Sequence, residues 1–323
     1  MPKATILVTG GAGFIGSHVC DALIAEGHAV RCFDNLATGK RANVIHLESA
    51  PGFTFFKGDL CSPGDLKTAV EGVSAIAHLG ALGSVPRSIA DPLASEAANL
   101  GGFLHLLEAA RGAGVQRIVY ASSSSVYGDS TELPKREGTE GRPLSPYAVT
   151  KAMDEAYGHL YHRMYGLGII GLRFFNVFGE RQDPEGPYAA AIPKFIRAFL
   201  KHEPPVINGD GRQTRDFTYV GNAVLAVRCA LAAGDGASGK VFNIAYGDRC
   251  DLLTLTDRLR GHLARIDPAI ARVPVEHAPG RPGDVRDSLA DIGRARELLG
   301  FVPVQGLDEG LARAVPWYAE NWR

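Results

Sequence analysis

Short apolar runs punctuate the first half of the chain, each followed by a stretch whose apolar positions repeat at helical spacing. Ile6-Leu7-Val8, Ala29 to Phe33, Phe53 to Phe56, Ala75 to Leu79, Arg117 to Ser122 and Gly168 to Arg173 read as buried strands. Leu93 to Ala113 and Tyr147 to Tyr165 are longer, mix charge with apolar residues, and read as helices. Strands alternating with helices predict an α/β fold with a parallel sheet covered on both faces. No repeat or low-complexity linker interrupts the pattern. After Phe174 it loosens, with Pro184, Gly186, Pro187, Pro204, Pro205, Gly209 and Gly211 marking loops, so a smaller C-terminal domain is expected. Lys240 to Ala245 again reads as a buried strand and is expected to rejoin the sheet. The expected division is therefore a first domain over 1–173 with a returning segment around 216–246, and a second over 174–215 and 247–323.

The first strand leads directly into Gly10, Gly11, Gly13 and Gly16, then an amphipathic stretch and a second apolar run ending in Asp34. This is the layout of a βαβ dinucleotide-binding unit, the opening of a doubly wound Rossmann sheet. Its glycines permit a tight turn, close approach of the backbone to a pyrophosphate, and tight packing of helix on strand. The phosphates then meet the positive helix N-terminus. Asp34 stands where a carboxylate accepts the ribose hydroxyls and repels a 2′-phosphate, which favours NAD over NADP. Lys40 and Arg41 follow Asp34 and read as a solvated loop.

Composition narrows the picture. The 323 residues suffice for one large α/β domain with a smaller one appended. The net charge is −1 and there is no basic block, which argues against nucleic acid or a membrane surface as partner. Cys20, Cys32, Cys61, Cys229 and Cys250 are scattered without a CxxC, so no disulfide or zinc framework and no metal site is expected, as in a reduced cytoplasmic protein. A strand starts almost at once, leaving no room for a signal peptide, and no apolar run approaches a membrane span.

A second constellation is Ser122-Ser123-Ser124-Ser125-Val126-Tyr127-Gly128, followed by Tyr147 and, four residues on, Lys151. Positions i and i+4 share a helix face, so a phenol and an ammonium can point into one site. The serines close a strand at the carboxyl edge of the sheet, where open parallel sheets bind ligands. A free phenol titrates near 10; bringing one to about 7 takes roughly 4 kcal/mol of differential stabilisation, which an adjacent ammonium and a nicotinamide cation both favour. A serine hydroxyl can hold a substrate oxygen and relay its proton.

Thr9-Gly10-Gly11-Ala12-Gly13-Phe14-Ile15-Gly16, Gly58-Asp59-Leu60, His78-Leu79-Gly80-Ala81, the serine-rich Val126-Tyr127-Gly128 segment and Tyr147 to Lys151 resemble the extended short-chain dehydrogenase/reductase superfamily. Asp34-Asn35-Leu36, Arg173-Phe174-Phe175-Asn176-Val177-Phe178-Gly179 and Arg215-Asp216-Phe217 narrow the resemblance to nucleotide-sugar 4-epimerases. Gly83-Ser84-Val85-Pro86-Arg87-Ser88, Arg181-Gln182-Asp183-Pro184, Ala189-Ala190-Ala191-Ile192-Pro193 and Gly283-Asp284-Val285-Arg286-Asp287-Ser288 are similar to bacterial UDP-N-acetylglucosamine 4-epimerases of polysaccharide biosynthesis.

The resemblance implies that Ser123, Tyr147 and Lys151 are catalytic, with Tyr147 the base and Lys151 a ribose ligand. It places Phe14, Ile15, Asn35, Asp59, Leu60, Leu79, Ala81, Asn99 and Phe174 around NAD. Asn176, Arg215, Arg281 and Asp284 would hold the uridine diphosphate, Arg being suited to bidentate phosphate contacts. Gly83, Ser84, Ser124, Ser125, Gln182, Ala190 and Ser288 would line the rest of the UDP-sugar site, and Ser288, being small, leaves room for an acetamido group. The implied reaction oxidises C4 of a UDP-hexose transiently and restores it on the opposite face. The plain UDP-glucose/UDP-galactose pair and UDP-uronic acids are the alternative substrates. Sugar 4,6-dehydratases place Asp-Glu where Ser124 and Ser125 stand, and UDP-glucuronate decarboxylases place Glu at the second of these positions. A reading from another class, a non-catalytic NAD-sensing regulator, has no use for Ser123, Tyr147 and Lys151 together. Homodimerisation through the Tyr147 helix and the Leu93 to Ala113 helix is also implied.

Overall fold

The computed structural model describes residues 4–185, 189–280 and 286–322. Strand β1 (Thr5–Thr9) and helix α1 (Phe14–Ala25) begin the chain, followed by β2 (Ala29–Asp34), β3 (Phe53–Lys57), α2 (Pro63–Ala69) and β4 (Ala75–His78). Two short helices, α3 (Val85–Ala90) and α4 (Pro92–Glu96), precede a π-helical turn over Ala97–Gly101 and α5 (Gly102–Ala113). Next come β5 (Arg117–Ser123), the 20-residue α6 (Pro146–Tyr165) and β6 (Gly168–Phe174).

These strands form a seven-stranded parallel sheet that also takes in the later strand Lys240–Ile244, which pairs with β6 from Lys240↔Ile170 to Ile244↔Phe174. From that edge the order is Lys240–Ile244, β6, β5, β4, β1, β2, β3. The order reverses direction between β1 and β4, whose carboxyl ends flank the Gly10 turn; such a switch point is where open α/β sheets bind ligands. Fully buried Leu7, Val8, Ile76, Ala77, Ile118, Val119, Ile170 and Leu172 alternate between two cores, one on each side of the sheet. Burial on both faces accounts for the continuous apolar runs.

The C-terminal part comprises β7 (Val177–Phe178), α7 (Ala191–Leu200), β8 (Val206–Asn208), β9 (Thr214–Arg215), β10 (Thr218–Tyr219) and α8 (Val220–Ala232). It continues through β11 (Lys240–Ile244), β12 (Cys250–Asp251), α9 (Leu252–Ala264), β13 (Glu276–Ala278), α10 (Gly293–Leu299) and α11 (Leu307–Asn321). A separate core of Ile192, Ile196, Phe199, Ile207, Leu255, Leu259, Leu263, Leu311 and Tyr318 joins α7, α9 and α11. α8 belongs instead to the sheet: its Ala223, Val224, Ala226, Val227 and Ala230 pack in the same core as α1. Among the described residues no helix is long and apolar enough to cross a membrane.

The expected helix from Leu93 to Ala113 is not uniform. The π-helical turn widens it at Ala97–Gly101, as such turns often do beside functional sites, and lets fully buried Asn99 turn inward. There its Oδ1 accepts from Leu82 N at 2.7 Å and its Nδ2 donates to Thr150 Oγ1 at 3.3 Å, tying the loop after β4 to α6.

Candidate functional site

The turn after β1 is built on close backbone approach. Gly10 has φ +64°, and a Cβ there would lie 2.6 Å from Gly80 N, so the loops leaving β1 and β4 touch. Thr9 Oγ1 shares a 2.7 Å hydrogen bond with His78 Nδ1 and accepts from Gly80 N at 3.3 Å, which fixes the two strand ends together. Burial, with the Lys151 charge nearby, drives the His78 imidazole down to about 3, so that ring is neutral. At Gly16 a Cβ would stand 2.1 Å from Gly10 O, which explains how α1 packs so closely on the turn. The cradle is one that any side chain would fill, and it suits a pyrophosphate.

Asp34 closes β2 and folds back to this cradle. Its Oδ2 accepts from Ala12 N at 3.0 Å and its Oδ1 from Leu36 N at 2.8 Å, the latter enabled by a left-handed Leu36 (φ 64°). Burial pushes its carboxyl upward while the two amides oppose the shift. Asn35 Nδ2 donates to Asp59 Oδ2 at 2.9 Å, and this bond, with help from Cys61, holds the Asp59 carboxyl below its ordinary value. Gly10, Gly13, Phe14, Ile15, Gly16, Asp34, Asn35, Asp59, Leu60, Leu79 and Ala81 line a single cleft with Ala98, together with Thr38, Leu82 and Ala121, which the sequence did not single out. Gly39 was missed as well: a Cβ there would meet both Asp34 oxygens at 2.7 Å, so a larger residue would have to push the carboxylate out of its bonds to Ala12 and Leu36. Lys40 is not merely solvated, since it pairs with Asp183 at 2.8 Å and lies over the Trp322 ring. The fit to a dinucleotide is thus met by cradle, carboxylate and cleft together.

Ser123 ends β5 at the same sheet edge, where its Oγ accepts from Ser125 N at 3.1 Å and starts a 3-10 turn over Ser124–Tyr127. Ser125 Oγ is buried without a hydrogen-bond partner. Tyr147 stands at the start of α6, half-buried, and its amide donates to Ser88 Oγ at 3.0 Å, which seats α3 against that helix end. Ser145 caps α6 by accepting from Ala148 N, and Pro146 follows at the first turn, so the sequence itself begins the helix one residue before Tyr147. Lys151, 2 % exposed, turns inward and donates to Asp154 Oδ2 at 3.1 Å. Burial alone would lower its ammonium; Asp154 and Tyr147 more than offset this and raise it. Phe174 lies buried at the end of β6, in the core under the sheet, and Asn99 stands behind Leu82; neither lines the cleft.

A second cavity, of about 500 Å³, opens beside α7 and contains Asn176, Gln182, Ala190 and Arg215, joined by Lys194 and Phe217. Asn176 adopts φ 34° and donates from Nδ2 to Asp216 O at 3.2 Å; Gln182 donates to Val177 O at 3.1 Å. Arg215 donates to the carbonyls of Thr214 and Arg286. Ser288 is buried beside this strand, its amide donating to Thr214 O at 3.1 Å. Gly83 is exposed, and Ser84 caps α3 through Arg87 N. Arg281 and Asp284 lie outside the described residues.

Asp216 was named only within its motif, yet it organises this region. Fully buried, it accepts from Ala290 N at 3.2 Å and Gly247 N at 3.3 Å, tying three loops together, and burial raises its carboxyl to about 7 against those bonds. Arg173, 3 % exposed, bonds Glu155, Glu140 and Tyr127 and braces α6 against β6.

Residues 6–245 match the NAD dependent epimerase/dehydratase family. The UDP-glucose 4-epimerase of Mycolicibacterium smegmatis is 38% identical over 315 residues, covering 97% of each chain. The structure of the UDP-N-acetylglucosamine 4-epimerase from Methanobrevibacter ruminantium M1, in complex with UDP-N-acetylmuramic acid, superposes with a TM-score of 0.92 at 38% identity, over 99% of this chain and 100% of that one. A UDP-glucuronic acid 4-epimerase from Bacillus cereus, crystallised with a fluorinated UDP-sugar and NAD, gives 0.89 at 31%, over 98% and 99%. With a dinucleotide cradle, an Asp34 clamp and likeness over nearly the whole chain, the protein belongs to the NAD dependent epimerase/dehydratase family and, within it, to the nucleotide-sugar 4-epimerases, isomerases that use NAD.

Proposed function

We propose that the chain interconverts UDP-N-acetylglucosamine and UDP-N-acetylgalactosamine. The observation that carries this choice is that Ser288, whose amide bonds the strand presenting Arg215, is small, as is Ala190, which lines the cavity with Arg215; Ser288 itself stands behind that strand rather than in the cavity lining. By resemblance to the 4-epimerases, a small residue at this position leaves space for an acetamido group, whereas a large aromatic restricts the site to plain hexoses. The likeness to a UDP-N-acetylglucosamine 4-epimerase supports the same reading.

In this mechanism Ser123 Oγ takes the proton of the sugar 4-hydroxyl and passes it to Tyr147 Oη. Lys151, charged and held inside the protein, places an ammonium near Tyr147, and such a charge favours a phenolate, the form able to act as base. Asp34 and the glycine turn would hold NAD in the cleft, and the cofactor would supply the oxidising and then the reducing equivalent for C4. Asn176, Gln182, Arg215 and, by resemblance, Arg281 and Asp284 hold the uridine diphosphate, so that binding energy is concentrated away from the hexose that must turn. Leu93 is 79% exposed, and Val149, Met153, Leu160 and Met164 form an exposed apolar stripe along α6, a face suited to the matching helices of a second copy. Sedimentation equilibrium tests the dimer directly.

Turnover of N-acetyl, plain and 6-carboxylate UDP-hexoses, resolved as C4 epimers by chromatography, tests the substrate assignment. The highest kcat/KM is expected for the N-acetyl pair. Ser288→Tyr should cost that pair on the order of 1–3 kcal/mol in transition-state binding through overpacking, and spare the plain pair. A wild-type preference for UDP-galactose, or equal losses for both pairs, removes the acetamido assignment.

A further inference from the structure

On α6, Tyr147, Lys151 and Asp154 stand at i−4, i and i+3 and so share one face of the helix. Lys151 Nζ lies 3.1 Å from Asp154 Oδ2, and the two side chains are 2% and 1% exposed, which makes this a fully buried ion pair. The other carboxylate oxygen, Asp154 Oδ1, is buried with no hydrogen-bond partner. Asp154 therefore differs from the other buried carboxylates. Asp216 gathers backbone amides from several loops, and Glu155 bonds both Arg173 and Ser122. Asp154 has one bond, to Lys151.

We propose that Asp154 is a positioning residue for Lys151, holding its ammonium charged and oriented beside Tyr147, so that the three residues act as one connected set along α6. This rests on the reading of Tyr147 and Lys151 given above. An ammonium has three protons and no acceptor; Asp154 takes one and fixes the direction of the stem, leaving the others for the cleft side. Burying an unpaired ammonium is costly enough that it would give up its proton instead.

The surroundings offer no substitute anion free to do this. Glu155, next on α6, is committed to Arg173 and Ser122. From β4 the neutral His78 faces the pair, and from β5 Tyr120, whose burial, with Glu155 and Asp154 nearby, keeps its phenol protonated. From β6 Arg173 is engaged by Glu155 and Glu140. Burial raises the Asp154 carboxyl to about 6 despite Lys151, while Lys151, which burial alone would lower, is raised by Asp154 ahead of Tyr147 and Glu155. Above about pH 6 both members carry charge, until the lysine titrates. With the carboxylate gone, burial dominates and the lysine should titrate lower.

The experiment follows the ε-carbon resonance of Lys151 against pH in the NAD-loaded, selectively labelled protein, assigned by its loss in Lys151→Arg, and measures kcat against pH alongside. In Asp154→Asn the lysine is expected to titrate at least about one pH unit lower than in the wild type, with the alkaline limb of kcat moving by the same amount. Asp154→Glu, which keeps the charge, should restore both. An unmoved lysine titration in Asp154→Asn overturns the proposal, because a purely structural carboxylate would change stability and leave that titration in place. Should Asp154→Asn not fold, Asp154→Ala replaces it. The wild-type curve is decisive in any case, since a Lys151 titrating below the ordinary lysine value contradicts the proposal. Absence of turnover with every UDP-sugar would count against the reading of the site but leave the titration readable.

Discussion

Replacing Gly16 by Ala isolates the part of the cleft that depends on backbone contact alone. The new Cβ would lie 2.1 Å from Gly10 O, 2.8 Å from Gly10 C and 2.9 Å from Gly11 Cα, so the contact with the oxygen is about 1.3 Å short of an ordinary 3.4 Å approach. All three atoms are backbone and cannot rotate away. The turn or the start of α1 must move, at a cost of roughly 1–3 kcal/mol in overpacking, partly offset by about 0.5–1 kcal/mol from the better helix former. The larger effect falls on NAD. The amides of Gly11, Ala12 and Gly13 are bonded within the protein, so a pyrophosphate here would draw on those at the start of α1, the segment that moves, and losing one charge-assisted hydrogen bond costs about 1.5–3 kcal/mol. Kd for NAD should therefore rise by at least ~10-fold, at 1.4 kcal/mol per decade. Two companions calibrate the result. At Gly13 the nearest atom would be Gly10 O at 3.0 Å, so Gly13→Ala should have a smaller effect. Gly112, in α5, has nothing within 4 Å, so Gly112→Ala should leave Kd unchanged. Calorimetric titration of stripped protein with NAD, with thermal unfolding of each variant, gives both numbers. If Gly16→Ala bound NAD within twofold of the wild type, the close-approach argument would fail.

Tyr147→Phe keeps the ring and removes the titrating oxygen, so turnover of the preferred UDP-sugar should fall at least ~10²-fold while bound NAD, read by absorbance of the denatured supernatant, stays near the wild-type stoichiometry; near-normal turnover would remove Tyr147 from the mechanism. Asp216 gives a pH signature in stability. Its carboxyl is raised from 3.8 to about 7, so the folded state binds this proton more tightly than the unfolded chain, and the group's contribution to stability falls as pH rises from about 4 to 7, by on the order of 4 kcal/mol. Unfolding by urea across that range should show the wild type losing stability relative to Asp216→Asn by that order, and a pH-independent difference would count against a buried, proton-binding Asp216.

Much of the molecule was legible in the chain because its signals are local. The strand, Gly10 to Gly16, helix, Asp34 sequence is fixed by turn sterics and by the need for a carboxylate at the next strand end, and Gly10, Gly13, Phe14, Ile15, Gly16 and Asp34 line one cleft. The i, i+4 spacing of Tyr147 and Lys151 placed both on one helix face for the same reason, and Ser145-Pro146 marked where that helix begins. The continuous apolar runs identified a sheet covered on both sides, and Lys240 to Ile244 rejoined it as its pattern suggested.

Tertiary structure decided what depends on contacts between distant segments. The spacing of Lys151 and Asp154 along α6 is visible in the sequence, but that both side chains are sealed from solvent as a buried ion pair is decided by what packs around that helix. The wide turn that brings Asn99 to Leu82 and Thr150 arises from packing between α5, α6 and the loop after β4, whereas its local sequence reads as ordinary helix. Gly39 matters only because Asp34 folds back against it, and Asp216 only because loops more than thirty and seventy residues away donate amides to it. Periodicity and turn chemistry record which face of an element is buried; they carry no record of which distant group it is buried against, and in this chain those distant contacts set the charge states around the site.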